Sequence, residues 1–389
     1  ASNQFLADLL VWYHLSWLAE DTRRRNSRVR HLEDKANGYS VHDRRELLQV
    51  ILEEMRSIIP RYRALADSGQ VELCMSPYAH PIVPLLLDME CAREAMPDAP
   101  LPVNTSYPGG AERARWHLQH GLATFERIFG RRPVGLWPSE GGVSQAALPV
   151  FADSGFRWIA SGGSVLNNSH DAQGKSCSHR VYRFGDAAID CVFRDDGLSD
   201  MIGFTYSDWH AEDAVANLIG HMENIADLCP DRDDCLISII LDGENAWEYY
   251  PENGYYFLNH LYKALAEHPR LELTTFDRFL QEKAPQRAQE SHLVAGSWVY
   301  GTFSTWIGEA EKNRAWELLV EAKRAFDQQV ASGAQDQAEL QEAEQQRAVC
   351  EGSDWFWWFG DYNPAETVSL FDQLYRMHLA NLYQAIRVE

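Results

Sequence analysis

Over residues 44–68 the apolar positions Leu47, Leu48, Ile51, Met55, Ile58, Ile59 and Tyr62 recur at helical spacing. Gly69 ends that pattern, and 71–75 then alternates as a strand does. A second helical pattern runs over 112–128 and stops at Gly130. Short apolar runs follow at 134–137, 158–160, 189–193, 236–241 and 271–275, with helical stretches such as 211–227 and 255–268 between them. Some of these runs are apolar on both faces, as strands covered by helices on both sides must be. The pattern predicts an α/β fold on a parallel sheet or barrel. Past about residue 300, 312–326, 336–350 and 365–387 read as helices with no strand between them. Two domains are therefore expected: a β/α barrel over 1–300 and a helical bundle over 301–389 that caps it. The stretch 335–346, rich in Gln, Glu and Ala, fits a solvated helix face.

The run of six strand candidates is short for a barrel, and the sequence opens in an amphipathic helix over 5–18. An open barrel leaves unpaired edges, so a first strand is expected outside this sequence. Asp8 and His14 interrupt 5–18, which therefore reads neither as a signal peptide nor as a membrane span.

Charge and composition narrow the function classes. Lys and Arg total 35 against 57 Asp and Glu, a net charge of −22. Such a surface repels nucleic acid and anionic lipid and suits a neutral or cationic ligand; acidity that serves only solubility is the alternative. Thirteen Trp, several in polar and turn-rich surroundings, suit a sugar, whose C–H faces stack on rings while its hydroxyls seek carboxylates. The seven Cys are scattered and never form CxxC, which argues against a disulfide framework or thiolate zinc site and for a reducing, cytoplasmic setting. No HxxE, HExxH or paired Asp-His motif completes a metal site around His80, and no phosphate-loop pattern is present, so neither a metal nor another cofactor is expected.

Two segments carry candidate chemistry. Gly135-Leu136-Trp137-Pro138-Ser139-Glu140 follows an apolar strand, and Pro138 should end it and place Glu140 at its mouth. Gly141 and Gly142 leave room for a ligand; a loop Glu paired with an Arg is the plainer reading. The apolar run 236–241 ends in Asp242-Gly243-Glu244, which puts both carboxylates on one face if it is a strand. Mutual repulsion would raise one pKa, as a general acid needs; an Asp helix cap is the alternative. Paired strand-end carboxylates are what glycoside cleavage uses, one at the anomeric carbon and one protonating the leaving oxygen.

Trp137-Pro138-Ser139-Glu140 and Leu241-Asp242-Gly243-Glu244-Asn245 resemble the third and fourth motifs of glycoside hydrolase family 57. The resemblance assigns the nucleophile to Glu140 and the acid/base to Asp242. Gly69-Gln70-Val71-Glu72 followed by His80-Pro81 resembles the second motif, Phe193-Arg194-Asp195 a segment lining the active site, and Ser353-Asp354-Trp355 the fifth motif. Together these imply His80, Trp137, Arg194, Glu244, Asp354 and Trp355 as substrate-binding residues. Arg194 could instead pair with Asp195 or Asp196. The family implies an incomplete seven-stranded barrel with a helical bundle, and retaining chemistry on α-glucans or maltooligosaccharides. The first motif, a His-x-Pro run, is absent: His14 is followed by Leu15-Ser16. The expected activity is an amylase-type hydrolase. A 4-α-glucanotransferase or branching enzyme, a metal-dependent polysaccharide deacetylase-like barrel and a non-catalytic glycan-binding protein are the rivals. A homo-oligomer is left open, with no nucleic-acid or membrane partner expected.

Overall fold

A computed structural model describes residues 2–170, 177–229, 231, 233–243, 247–333 and 335–387. The chain divides into two compact units. One gathers Ala1–Glu72, Gly197–Arg232 and Ile239–Thr275; the other gathers Leu73–Asp196, Asp233–Ser238 and Phe276–Glu389.

The first unit is helical. Ser2 caps Asn3–Ser16 by accepting the Phe5 amide, and Ser40 and Asp43 form a reciprocal capping box at the start of Val41–Asp67. Val11, Leu15, Val29, Leu32, Tyr39, Leu47 and Val50 make a small core. The predicted long helix is present, yet Leu48, Met55, Ile58, Ile59 and Tyr62 on it are exposed. The helices Ala211–Leu228 and Tyr255–Ala266 pack on each other elsewhere in this unit.

The second unit holds the sheet. Its strands are β1 (Gly135–Leu136), β2 (Trp158–Ser161), β3 (Tyr182–Phe184), β4 (Asp190–Phe193) and β5 (Ala288–Glu290), in the order β1-β2-β4-β3-β5. β1 with β2, β2 with β4 and β3 with β5 are parallel; β3 with β4 is antiparallel. Only the short connection 185–189 separates β3 from β4, too little chain for the crossover a parallel pair requires. β2 and β4 are buried along their whole length, as their two-faced apolar sequence predicts. Leu118, Leu122, Leu148, Phe151, Phe184 and Phe193 pack around the sheet. A second core, with Trp306, Trp316, Leu319, Phe356, Tyr375 and Leu382, is built largely on Ala310–Ser332, Gln337–Cys350 and Ala365–Ala385. These C-terminal helices belong to the same compact unit as the sheet.

The α/β class is as expected, but several strand expectations need correction. The run 71–75 contributes one parallel bridge, Met75 to Leu136. Residues 236–241 form no strand: Leu236 donates to the His179 carbonyl, Ser238 accepts from Asp195, and Ile240 donates to the Ser199 hydroxyl. Their hydrogen-bonding needs are met at single points, not along a ladder. Residues 271–275 form no strand either, and Leu273 is exposed. Cys229 and Cys235 are disulfide-bonded, which corrects the argument against disulfides; Cys74, Cys91, Cys177, Cys191 and Cys350 are free. Among the described residues no helix is long and apolar enough to cross a membrane.

Candidate active site

The functional side chains of the second unit collect just past the carboxyl ends of β1, β2 and β4, where a parallel sheet opens. Met75 and β1 run side by side: the Met75 amide donates to the Gly135 carbonyl and the Trp137 amide to the Met75 carbonyl. Residues 77–80 and 137–140 therefore emerge at the same end. At the end of β2, the Ser161 hydroxyl donates to the Gly141 carbonyl at 2.6 Å, and its own carbonyl accepts from the Arg194 amide.

Glu140 sits in a tight turn with φ +57, the left-handed region that a non-glycine residue adopts at a cost of about 1–3 kcal/mol. The turn is fixed from outside. Val143 and Gly296 exchange both backbone hydrogen bonds, and the Trp298 amide donates to the Glu140 carbonyl at 3.1 Å. The same Trp298 donates its indole N–H to Glu140 Oε2, also at 3.1 Å. The other oxygen, Oε1, lies 4.0 Å from His80 Nδ1. Trp298 is thus bonded to Glu140 twice, once by backbone and once by side chain. Trp137 packs edge-on to it, ring centroids 5.3 Å apart, and the Arg194 guanidinium lies over it at 5.5 Å. A methyl group at Gly141 would come within 2.9 Å of the Trp137 ring, so no larger residue fits there.

Arg194 is buried and pairs with Asp196 at 3.1 Å, the alternative its neighbours suggested, while its face covers Trp298. His80 and its neighbour Ala79 both have left-handed φ, +57 and +54. His80 is held by Ser353: its Nδ1 is 2.8 Å from the Ser353 hydroxyl, and its carbonyl accepts the Ser353 amide. This ties the Ser353-Asp354-Trp355 segment to the site. Asp354 is exposed at the start of the short helix Asp354–Trp357. Trp355 donates to the Val349 carbonyl and packs beside Tyr375 and His378.

The segment leading to Ser353 is anchored by a buried charge. Glu351 is fully buried and accepts from the Tyr107 hydroxyl at 2.5 Å, Arg113 Nη2 at 2.6 Å and His117 Nε2 at 2.7 Å. The His117 Nδ1 side faces the Tyr78 carbonyl at 2.5 Å, two residues before His80. Burial alone would raise the Glu351 pKa, but Arg113 and His117 outweigh it and hold the carboxyl well below the usual range. Nothing in the sequence pattern marked Trp298 or Glu351 for these roles.

Of the predicted site residues, the structure brings Glu140, His80, Trp137 and Arg194 together. Asp242 lies in the first unit and is exposed, and Glu244 lies outside the described residues. Among the described residues no three His, Cys, Asp or Glu side chains converge as a metal site would need.

A family model described as glycosyl hydrolase family 57 matches residues 14–292. The chain belongs to glycosyl hydrolase family 57. Membership of family 57 makes it a glycosidase or transglycosylase. Three solved structures share its fold. A family 57 branching enzyme from the hyperthermophilic archaeon Pyrococcus horikoshii is similar at TM-score 0.67 and 16% identity, over 98% of this chain and 76% of that one. An α-amylase from Thermotoga maritima is similar at TM-score 0.65 and 13% identity, over 97% and 78%. A 4-α-glucanotransferase from Thermococcus litoralis gives TM-score 0.56 and 15% identity, over 87% and 51%. No curated protein sequence matches the chain.

Proposed function

We propose that this family 57 chain cleaves α-1,4-glucans, amylase-fashion, by double displacement. Glu140 attacks the anomeric carbon while Asp242 protonates the departing oxygen; Asp242 then takes a proton from water. A sugar hydroxyl in place of that water would make the outcome glucanotransfer or branching. The observation that carries the reading is the Glu140 carboxylate, set at a sheet's carboxyl end by one indole donor with its second oxygen towards His80. We read the described strands as part of the incomplete seven-stranded barrel that the motifs imply. The helical region from 301 on would then wall the cleft through Asp354 and Trp355. A cytoplasmic setting fits a glucan store as substrate.

Product analysis on maltoheptaose tests this. Shorter sugars alone are expected; longer ones would move the assignment to transfer, and no turnover with binding intact would leave a glycan-binding protein. In the same assay Asp242→Asn should lower kcat by about 100- to 10,000-fold, as loss of a general acid does. Turnover close to the parent's would remove Asp242 from the mechanism. Trp298→Phe keeps the ring but removes the N–H. A hydrogen bond to a charged group contributes about 1.5–3 kcal/mol, so kcat/KM should fall about 10- to 100-fold with the fold intact by circular dichroism.

A further inference from the structure

We propose that Cys177 is an activated thiol, set with His179 and Asp195 as a modification site that takes up small disulfides by thiol–disulfide exchange. The glycosidase reading uses none of this chemistry.

The three side chains form a line. Cys177 Sγ lies 3.9 Å from His179 Nδ1, and His179 Nε2 lies 2.7 Å from Asp195 Oδ2. The carboxylate fixes the imidazole ring and favours its cationic form, the arrangement by which a Cys-His-Asp set generates a nucleophile. The backbone holds it in place. The Tyr182 hydroxyl donates to the Cys177 carbonyl at 2.8 Å and accepts its amide at 3.3 Å, and the His179 carbonyl accepts the Leu236 amide. Asp195 is held in turn by its backbone amide, which donates to the Ser238 carbonyl at 2.8 Å.

Charge and access agree with the geometry. The His179 hydrogen bond pulls the Cys177 thiol below its ordinary value despite burial, and Arg180 adds to the effect. Burial works against the His179 cation, but Asp195 and Cys177 outweigh it and raise the ring to about 9. His179 is therefore a cation at neutral pH. Cys177 is half-buried and within a small molecule's reach, whereas Cys91, Cys191 and Cys350 are buried with their thiols pushed up. Free glutathione, a thiol of ordinary acidity, serves as the reference in parallel reactions.

In the exchange the Cys177 thiolate attacks one sulfur of the small disulfide and forms a mixed disulfide. The other sulfur leaves as a thiolate and takes up a proton, so the incoming disulfide is itself the oxidant. The test treats the native protein with limiting dithiodipyridine, a neutral disulfide, and maps the labelled cysteines by mass spectrometry against time. Near pH 6.5 an ordinary thiol is about 1% ionised, so Cys177 should react about 5- to 10-fold faster than glutathione, its lower intrinsic nucleophilicity included. From about pH 8 down to 6.5 the Cys177 rate should fall less steeply than the glutathione rate. His179→Asn should remove the advantage of Cys177 over glutathione. A Cys177 rate no higher than that of glutathione, or a parallel fall of both with pH, overturns the proposal in the unmutated protein. Unchanged Cys177 reactivity in a folded His179→Asn variant overturns the role of His179.

Discussion

Glu140→Gln is expected to lower kcat on maltooligosaccharides by on the order of 10,000-fold, the scale on which losing a nucleophile shows. The amide has the same shape, and its carbonyl can still accept the Trp298 indole N–H, so the unfolding midpoint should barely move. A second variant separates nucleophile from acid/base. In Glu140→Ala, added azide could reach the anomeric carbon directly and should give a glycosyl azide of inverted configuration. The same additive in an acid/base variant attacks the glycosyl-enzyme and gives the retained anomer. Parent-like turnover in Glu140→Gln, or a retained azide product from Glu140→Ala, removes the nucleophile assignment.

The largest expected stability effect lies outside the reacting groups. Glu351→Gln should destabilise the second unit by about 3–5 kcal/mol, because Arg113 would stay buried without its counter-charge. The pH dependence has a definite sign. The folded pKa of Glu351 is depressed, so its stabilisation is fully present above the unfolded value near 4.3 and is lost as pH falls below it. Urea unfolding at neutral pH and in mild acid measures both: the parent should lose stability on acidification, and the Gln variant should lose less. An unchanged midpoint at neutral pH would show that the cluster does not anchor the fold. Activity should fall as well, since Gly352 and Ser353 tie this cluster to His80.

Periodicity is reliable where many residues share it. The helices Val41–Asp67, Gly110–Phe129 and Ala365–Ala385 were legible within a few residues, as were β2 and β4 with their mainly apolar runs. Burial was less legible: Leu48, Met55 and Tyr62 keep helical spacing yet face solvent. β3 has only three residues, and β5 reads Ala-Gln-Glu, which no strand pattern would select; it is placed by pairing with β3. The apolar run 236–241 failed in the opposite sense, with strand composition but no ladder. At the site, the motifs located Glu140 and His80, each beside a Gly or Pro that stands out in one dimension, and Arg194 through its Phe193-Arg194-Asp195 segment. Trp298 meets Glu140 across 158 residues through an antiparallel bridge, a tertiary event without local signature. Glu351 follows a helix whose Gln- and Glu-rich sequence suggested solvent, yet the last turn carries its acid into the core.

Trp298 orients Glu140 through an indole donor, and an indole is neutral. A guanidinium in that place would fix the carboxylate equally well but would draw electron density away from the oxygen that must attack. Ions in the medium would also weaken such a pairing. Trp298 aims the carboxylate without bringing a counter-charge of its own, and the aim rests on ring packing and a backbone bridge that dissolved salt does not screen.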